Sequence, residues 1–536
     1  MGPTAVDAPQ AGPAIVRAQT YLSSIDWSSP ERLVERMVSD PVAAIDWRQL
    51  AADTTISDGM FIGGESRAAI DGSTRPVHAA RDGSRLVDLA WAQAADADAA
   101  VAAARAAFDH GPWPRLHPRA RGEILQHFAD LIEEHRREIA LLISLEMGKP
   151  IRDAYQIELR ALIRCLRFYG ELADKESGEI TPTEEGELSL VTREPAGVVA
   201  AVVPWNFPLT LGGWKLAPAL AAGCTVVLKT AEQSPLSMQR VAEVGAMAGL
   251  PPGVFNVISG DGEVVGRHLG EHPDVDVLTF TGSTEVGRNF MRYSADSNLK
   301  RVYLELGGKS PNIIFPDAPD LDAAADAAAW AIYFNSGEMC TAGSRLVVHA
   351  DVADQVLERI VDTAAQWFPA DPLLPDTKMG PLVDERSLQR VMGHLDRGLA
   401  EGAALRVGGH RVLSDTGGAY LEPTVVTGAA LDNPIIRDEI FGPVLAVQVV
   451  SDEAEAVRIA GDTPYGLAAA LWTSDLGTAH RVSRALRAGT VWVNCYEEGD
   501  MAVPFGGVKL SGFGRDKSRH ALEEYTYLKT TWIRYA

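Results

Sequence analysis

The stretch 197-GVVAAVVPWNFPLTLGGWKLAPALAAGCTVVLK-229 decides the fold. Two short apolar runs, each bounded by glycine or proline, enclose a longer segment of helical character. The same alternation continues through 254-VFNVIS-259 and 277-VLTFTG-282. Strands that alternate with helices at this spacing form βαβ units around a buried parallel sheet. The sequence therefore predicts an α/β domain in this region.

A second series of short apolar runs predicts a second α/β domain, with a boundary near residues 305–312. The runs are 312-NIIF-315, 344-SRLVVH-349, 444-VLAVQVV-450, 468-AAALWTS-474 and 490-TVWVN-494. We expect four parts: an N-terminal extension (1–58), a first α/β domain (59–173 and 197–308), a second α/β domain (309–520), and bridging strands (174–196 and 521–536).

The bridging segments alternate in polarity at 188-LSLV-191 and 525-YTYLKTTWIRYA-536. Neither can bury much alone, so we expect them to pair, with exposed edges that invite another subunit. The alternative is a monomer in which they form a small capping sheet. Elsewhere, helices are expected over 96–111, as one long helix over 119–149, and as short pieces around 31–40.

The composition limits the class of protein. The chain has 536 residues, 46% of them hydrophobic and 23% charged, which is typical of a soluble protein with two to four structural units. A net charge of −23 argues against partners such as nucleic acid or anionic membranes. Four cysteines suit reduced thiols in the cytoplasm, and we expect no membrane span and no secretory signal.

One cysteine has unusual neighbours. Cys340 lies in 335-NSGEMCTAGSR-345, among small and polar residues where a backbone bends and a ligand can approach. Most free cysteines are instead buried like small hydrophobic residues. The thiolate is the reactive form of this side chain, so Cys340 is a candidate nucleophile.

Two further stretches follow predicted strands directly. In 277-VLTFTGSTEVGR-288 a helix begins near Thr284, and a helix N-terminus suits a phosphate, although a tight turn with an N-cap explains the pattern equally well. In 228-LKTAE-232, Lys229 and Glu232 could bind a ribose at the carboxyl end of a strand, or form a surface ion pair.

A carboxylate ends another predicted strand. Glu305, in 303-YLELGGKSPNIIF-315, precedes Gly307 and Gly308. Burial would raise the pKa of its carboxyl group and let it act as a general base near neutral pH. The alternative is an exposed acid at a sheet edge.

Six strings together resemble the aldehyde dehydrogenase superfamily over roughly residues 60–536: 204-PWNFP-208, 280-FTGSTEVG-287, 304-LELGGKSPNI-313, 337-GEMCTAGSR-345, 439-EIFGPV-444 and 504-PFGG-507. The ending 494–533 most resembles the branch that acts on γ-glutamyl-γ-aminobutyraldehyde and other ω-amino aldehydes. The resemblance implies a Rossmann-like NAD-binding domain, an α/β catalytic domain and a small β excursion for oligomerisation.

The resemblance also implies catalytic roles. Cys340 is the nucleophile, Asn206 donates to the oxyanion together with the Cys340 backbone N–H, and Glu305 activates water that hydrolyses a thioester. The product is a carboxylic acid, and hydride passes to a nicotinamide.

The cofactor residues follow in the same way. Lys229 and Glu232 match the adenosine-ribose contacts, and Ser283 matches the pyrophosphate contact. A carboxylate opposes a 2′-phosphate, so Glu232 favours NAD over NADP. The nicotinamide ribose is held by Glu439, with Phe441, Trp205 and Gly282 lining the same cleft; no metal is expected.

Substrate selection is assigned to 496-YEEGDM-501, which matches the family's aldehyde-entrance segment. Glu497, Glu498 and Asp500 place acids there, and Gly499 stands where many relatives carry an aromatic residue. This suits a longer polar aldehyde, such as one with a cationic amine, unless the acids are merely solvated. The remaining candidate channel walls are Phe207, Trp214 and Met339.

Other functions on this fold stay open at this point. They are a broad-specificity aldehyde dehydrogenase, a member that passes the acyl group to coenzyme A, and a non-catalytic binding protein. The presence of Glu305 argues against acyl transfer to coenzyme A, and Cys340 with Asn206 and Glu305 argues against a binding protein. A homodimer or homotetramer is expected.

Overall fold

The structure is a computed structural model that describes residues 41–535. The short helices expected around 31–40, and most of the expected N-terminal extension, lie outside these residues. The chain divides into a unit that ends at Asp46 and a unit that begins at Trp47. In the first, Pro41–Ala44 form a 3₁₀ turn. Everything below concerns the second.

The described strands are numbered in chain order. They are β1 (Met60–Ile62), β2 (Glu65–Arg67), β3 (Thr74–His78), β4 (Arg85–Ala90), β5 (Glu179–Thr181), β6 (Glu187–Pro195), β7 (Val198–Val202), β8 (Thr225–Lys229), β9 (Phe255–Ile258), β10 (Val277–Gly282), β11 (Arg301–Leu306), β12 (Pro311–Ile314), β13 (Arg345–His349), β14 (Ala404–Val407), β15 (Arg411–Val412), β16 (Tyr420–Leu421), β17 (Thr424–Thr427), β18 (Val444–Val450), β19 (Ala468–Trp472), β20 (Thr490–Val493), β21 (Gly512–Phe513) and β22 (Thr526–Arg534).

The α-helices alternate with these strands along most of the described chain. They are Trp47–Asp53, Ala94–Asp109, Pro118–Glu134, Arg136–Met147, Ile151–Asp153, Leu159–Leu172, Pro208–Ala222, Leu236–Met247, Arg267–Glu271, Thr284–Ala295, Leu321–Tyr333, Ala353–Ala364, Glu385–Ala400, Pro434–Arg437, Glu453–Gly461 and Leu476–Ala485. Two turns are π-helical, Ala154–Glu158 and Gly262–Gly266.

The expectation of one long helix over 119–149 is wrong. The helix Pro118–Glu134 ends and the helix Arg136–Met147 begins at His135. His135 has φ −89° and ψ 9°, in the bridge region between helical and extended backbone, so the helix does not continue through it. The apolar positions run on in helical spacing across this break, which is why the sequence pattern does not reveal it.

The first large sheet has eight strands in the order β2-β1-β9-β8-β7-β10-β11-β21. The five strands from β9 to β11 in this order run parallel, as the βαβ pattern predicts. Every residue of β7 and β8 is buried. The edge strand β21 comes from a stretch that we expected in the second domain, and it pairs antiparallel with β11 beside Glu305.

The second large sheet has seven strands in the order β14-β17-β18-β13-β12-β19-β20. All neighbours from β17 to β20 in this order are parallel, and β14 pairs antiparallel with β17. All five apolar runs of the second series are strands of this sheet. The α/β fold class expected from the two series is therefore confirmed.

A smaller sheet is made from the two bridging segments. β22 pairs antiparallel with β6 over nine residues, and β6 pairs with β5. The outer strand β22 is exposed from Tyr527 onward. Among residues 41–535, no helix is both long and apolar enough to cross a membrane.

Candidate active site

A cavity of about 580 Å³ opens where β7, β10 and β11 end. These strands are parallel, so their carboxyl ends meet at one edge of the sheet, which is where ligands collect in α/β folds. Seven of the predicted site residues line it: Trp205, Asn206, Gly282, Ser283, Cys340, Glu439 and Phe441. Lys229, Glu232, Glu305 and the predicted substrate residues lie outside its lining.

The segment before Cys340 has a strained backbone. Asn335, Ser336 and Gly337 have φ of 51°, 57° and 71°, a left-handed run that costs free energy at the two non-glycine residues. Hydrogen bonds hold it there: Asn335 Nδ2 donates to the Asn206 and Glu338 carbonyls (3.2 and 3.1 Å). The hydrogen-bonded run therefore holds the backbone that leads into Cys340 in one conformation.

Asn206 lies against the same loop. Its Nδ2 donates to the Glu338 carbonyl at 2.9 Å, and its side chain is buried. A carboxamide nitrogen carries two hydrogens, so one N–H remains for a ligand in the cavity that Asn206 and Cys340 both line. This arrangement can stabilise negative charge on an oxygen bound near the sulfur.

The Cys340 thiol lies among acids. Burial raises the pKa of this thiol well above its usual range, and the carboxylates of Glu497, Glu439 and Glu305 raise it further. The thiol form is therefore favoured in the protein alone. Positive charge beside the sulfur would oppose these carboxylates and favour the reactive thiolate.

Glu305 is buried at the end of β11. Neither oxygen of its carboxyl group has a hydrogen-bond partner among the described residues. Burial raises the pKa of Glu305 well above its usual range, the Asp516 and Glu524 carboxylates raise it further, and the Lys215 and Arg515 cations lower it. A carboxylate so weakly solvated is a strong base once it is ionised.

Sequence reasoning missed a buried ion pair whose charges act on the Glu305 carboxyl group. Lys215 Nζ lies 2.9 Å from Asp516 Oδ2, and both side chains are almost fully buried. One signal was available, because Lys215 is the only charged residue in the apolar helix Pro208–Ala222. Charged side chains are rarely buried without a partner, so a lysine in this apolar helix predicts an acidic partner from elsewhere in the chain.

Two neighbouring glycines make room for Glu439 and for the Cys340 carbonyl. The Gly308 N–H donates to Glu439 Oε1 at 2.9 Å. A Cβ atom on Gly307 would lie 2.0 Å from Glu439 Oε2, and one on Gly308 would lie 2.5 Å from the Cys340 carbonyl oxygen. Burial raises the pKa of Glu439 to about 7, although the Gly308 N–H lowers it.

The cleft has the features that a dinucleotide needs. Ser283 caps the helix Thr284–Ala295 and leaves its N-terminus facing the cavity, where an anion is favoured. The rings of Trp205 and Phe441 pack edge to face, with centroids 5.5 Å apart. Glu439 offers a carboxylate to a ribose. These residues therefore fit a dinucleotide whose nicotinamide, when bound, accepts a hydride.

Lys229 ends β8 and Glu232 follows it, both outside the cavity lining. Lys229 is buried, its Nζ donates to the Thr230 carbonyl at 2.9 Å, and burial lowers its pKa to about 8. Glu232 accepts from the Gly262 N–H at 3.0 Å. Sequence reasoning missed Arg75 of β3, whose Nη1 lies 3.5 Å from Glu232 and 2.8 Å from Asp261.

The helix Glu385–Ala400 contributes residues that the sequence did not indicate. Asp384 caps its N-terminus, and Gln233 Nε2 donates to Asp384 Oδ2 at 3.3 Å. The Arg390 guanidinium lies 6.0 Å from the centre of the Phe441 ring. All three line the cavity, so Asp384 and Arg390 from the second half of the chain, together with Gln233 from the first, give the cleft a polar wall.

The predicted substrate residues differ in burial. Glu497 is half-buried, and its Oε1 is buried with no hydrogen-bond partner among the described residues, whereas Glu498 and Asp500 are exposed. Burial raises the pKa of Glu497 to about 7, although a hydrogen bond with Thr341 and the Lys517 cation lower it. Of the three acids, only Glu497 thus presents an unpartnered oxygen close enough to raise the pKa of the Cys340 thiol.

The three predicted apolar walls also differ. The Trp214 ring packs against Phe505, with centroids 5.0 Å apart. Phe207 packs against Phe334 and is partly buried. Met339 is buried within the core cluster of the second half of the chain. Met339 therefore packs as a core residue in this structure.

Comparisons with known proteins agree with this architecture. A model of the aldehyde dehydrogenase family matches residues 68–531. The chain is 45% identical over 487 residues to the NADP/NAD-dependent aldehyde dehydrogenase PuuC of Escherichia coli, covering 91% of this chain and 98% of that protein. It is 45% identical over 489 residues to an aminoacetaldehyde dehydrogenase of Pseudomonas aeruginosa, with the same coverage.

A solved structure is also similar. The crystal structure of γ-glutamyl-γ-aminobutyraldehyde dehydrogenase from Burkholderia cenocepacia J2315 matches with a TM-score of 0.90 and 54% identity, covering 92% of this chain and all of that one. The fold and the family model thus define an enzyme that oxidises aldehydes. The chain belongs to the aldehyde dehydrogenase family, and the resemblance drawn from the six strings is confirmed.

Substituting Asp516 by asparagine should change the pH dependence of turnover. Its carboxylate raises the pKa of Glu305, so Asp516→Asn lowers that pKa and leaves the Lys215 cation to lower it further. A base works when ionised, so the acidic limb of the kcat profile should move to lower pH by about one unit. The measurement is kcat against pH.

The exposed acid Glu523 provides the control, because Glu523→Gln removes one negative charge from a nearby surface position. We expect that variant to keep the wild-type limb. An acidic limb that stays in place in Asp516→Asn, or moves to higher pH, would contradict the account of Glu305.

Proposed function

We propose that this protein oxidises a polar ω-amino aldehyde to its carboxylic acid with NAD as the hydride acceptor. Cys340 forms a thiohemiacetal and then a thioester. The observation that carries the proposal is the cavity that Cys340 and Asn206 line together, beside a Glu305 whose charge acts on the thiol.

In the first half of the reaction, Cys340 loses its proton to solvent, its thiolate attacks the aldehyde carbon, and the carbonyl oxygen becomes an alkoxide. The free N–H of Asn206 and the Cys340 backbone N–H donate to that oxygen, which stabilises it by about 3–4 kcal/mol. The alkoxide collapses, the C–H bond breaks with loss of hydride, and a thioester remains on the sulfur.

In the second half, Glu305 takes a proton from a water molecule that attacks the thioester carbon. The C–S bond breaks, the carboxylic acid leaves, and the thiolate is regenerated. An ionised Glu305 is required here and not in the first half. Its presence favours hydrolysis over transfer of the acyl group to coenzyme A, and Cys340 with Asn206 favours catalysis over simple binding.

The preference for NAD rests on Glu232, since a carboxylate opposes a 2′-phosphate. Arg75 Nη1 at 3.5 Å offsets part of that charge, although Asp261 holds the same nitrogen at 2.8 Å. We therefore propose that NADP is accepted less well than NAD. The relative PuuC is named as an NADP/NAD-dependent enzyme.

The substrate class rests on Glu497. Its unpartnered Oε1 near the sulfur suits an ammonium group a few bonds from the aldehyde carbon. The relatives named for aminoacetaldehyde and γ-glutamyl-γ-aminobutyraldehyde both act on aldehydes with a polar nitrogen. A broad-specificity enzyme for aliphatic and aromatic aldehydes remains the second candidate.

We also propose a homodimer or homotetramer that works in the cytoplasm. The small sheet supports the assembly, because its outer strand β22 exposes large apolar side chains: Tyr527, Leu528, Trp532 and Ile533. Exposed strands of this kind pair with another chain or are covered. Light scattering after size-exclusion chromatography should give a mass of two or four chains, and a single-chain mass would contradict the proposal.

Glu305→Gln should separate the two halves of the reaction. Acylation precedes the step that needs the base, so we expect a stoichiometric burst of NADH followed by slow turnover. Cys340→Ala should give neither burst nor turnover. Stopped-flow absorbance of NADH measures both. Loss of the burst in Glu305→Gln, or NADH production by Cys340→Ala equal to that of wild type, would contradict the proposed roles.

Glu497→Gln should impair amino aldehydes selectively. Loss of a charged partner for the ammonium group should raise KM for aminoacetaldehyde about tenfold and change KM for hexanal little. The neighbouring exposed acid gives a matched control, Glu498→Gln, which should keep both KM values. Equal effects of Glu497→Gln on the two aldehydes would remove the argument for amino aldehydes.

A further inference from the structure

A buried ion pair contacts the main chain at Asn206, the proposed oxyanion donor. Lys149 Nζ contacts the Glu158 carboxylate, and their side chains are 1% and 0% exposed. Lys149 follows the helix Arg136–Met147, and Glu158 closes the π-helical turn Ala154–Glu158. Single π turns within helices are rare and often occur at functional sites. Neither residue lines the cavity, and neither has a role in the reaction described above.

Both members of the pair hold the segment that carries Asn206. Lys149 Nζ donates to the Asn206 carbonyl at 3.0 Å. Glu158 Oε1 accepts from the Leu209 N–H at 2.9 Å and from the Thr210 N–H at 3.4 Å. These N–H groups lie in the first turn of the helix Pro208–Ala222, where they have no partner within the helix.

Further contacts hold the segment on both sides of Asn206. On one side Lys149 Nζ lies 3.7 Å from the centre of the Phe207 ring. On the other, Asn335 Nδ2 donates to the same Asn206 carbonyl, which ties it to the Cys340 loop. The main chain of Asn206 is thus fixed between the ion pair and the nucleophile loop, while its side chain keeps one N–H for the cavity.

A purely stabilising role explains this arrangement poorly. Removing two charges from water is expensive, and apolar side chains of similar volume are often as stable as a buried ion pair. Burial lowers the pKa of Lys149, against the effect of the Glu158 carboxylate. The other end of the same helix is held more simply, by Arg121 Nε donating to the Ala221 carbonyl at 3.2 Å.

We propose that Lys149 and Glu158 are positioning residues for catalysis: they fix the main chain of Asn206 so that its side-chain N–H meets the oxygen that forms on the aldehyde carbon. The inference rests on the proposed role of Asn206 as oxyanion donor. The two positioning residues lie 57 and 48 positions before Asn206 in the sequence.

A double-mutant cycle between Lys149 and Asn206 tests this directly. Lys149→Met keeps the length of the side chain and removes its charge and donors. The rate of the NADH burst should fall about ten- to a hundredfold in Lys149→Met, because small displacements of a catalytic group have effects of this size. In an Asn206→Ala background, the same substitution should change the burst rate less than threefold.

Arg121→Met is the matched control, because it removes a buried cation that anchors the opposite end of the same helix. We expect its burst rate to stay within threefold of wild type. Two readouts should be unchanged in Lys149→Met: the dissociation constant for NAD and the rate at which iodoacetamide alkylates Cys340. Neither depends on an oxyanion donor, and both report a folded site with an accessible sulfur.

Glu158→Gln gives a graded second variant, since the amide oxygen can still accept from the Leu209 N–H. Its burst rate should lie between wild type and Lys149→Met. If Lys149→Met does not fold, the pair variant Lys149→Met with Glu158→Leu leaves no buried unpaired charge and serves in the same cycle.

The outcomes separate this inference from the proposed function. A burst that is slow in Asn206→Ala and normal in Lys149→Met would overturn the positioning role alone. Fully additive losses in the double variant would also overturn it, because Lys149 would then act independently of Asn206. A normal burst in Asn206→Ala would overturn the oxyanion donor itself, and this inference with it.

Discussion

The chemistry of this protein depends on the burial of one thiol and several carboxyl groups in and beside the cleft. Cys340, Glu305, Glu439 and Glu497 are all shifted toward their neutral forms, and burial is the largest cause for each. In such surroundings a single charge strongly changes the pKa values, and so the protonation, of its neighbours. The proposed nucleophile and the proposed base are therefore held uncharged until a ligand or a substrate changes that balance.

Geometry in the cleft is set by backbone that only certain residues permit. Gly307 and Gly308 let Glu439 and the Cys340 carbonyl approach, and the left-handed run before Cys340 is held by hydrogen bonds to the opposite wall. Strain of this kind persists only where the surrounding structure fixes it. The two sheets supply rigid surroundings for these loops. Strand β11 of the first sheet ends at Leu306, directly before Gly307, and β13 of the second sheet begins at Arg345, shortly after Cys340.

Much of the fold could be predicted because both sheets are parallel and buried, which leaves short apolar runs between helices. Glu305 and Ser283 could be found because each lies at the end of a predicted strand, and Cys340 because its neighbours are small and polar. The break at His135 was missed because helical spacing continues across it. Lys215 and Arg75 could not be found because their acidic partners lie far away in sequence. Lys149 and Glu158 are only nine positions apart, but their contacts with the Asn206 segment form only in the folded chain.

The central claim is that the substrate becomes covalently attached to one sulfur. The direct measurement is mass spectrometry of the Glu305→Gln variant, quenched in acid after mixing with aminoacetaldehyde and NAD and then digested. The account predicts that the peptide containing Cys340 gains the mass of the acyl group, and that omitting NAD prevents this. An unmodified Cys340 peptide, or an acyl group on Cys165, Cys224 or Cys495 instead, would contradict it.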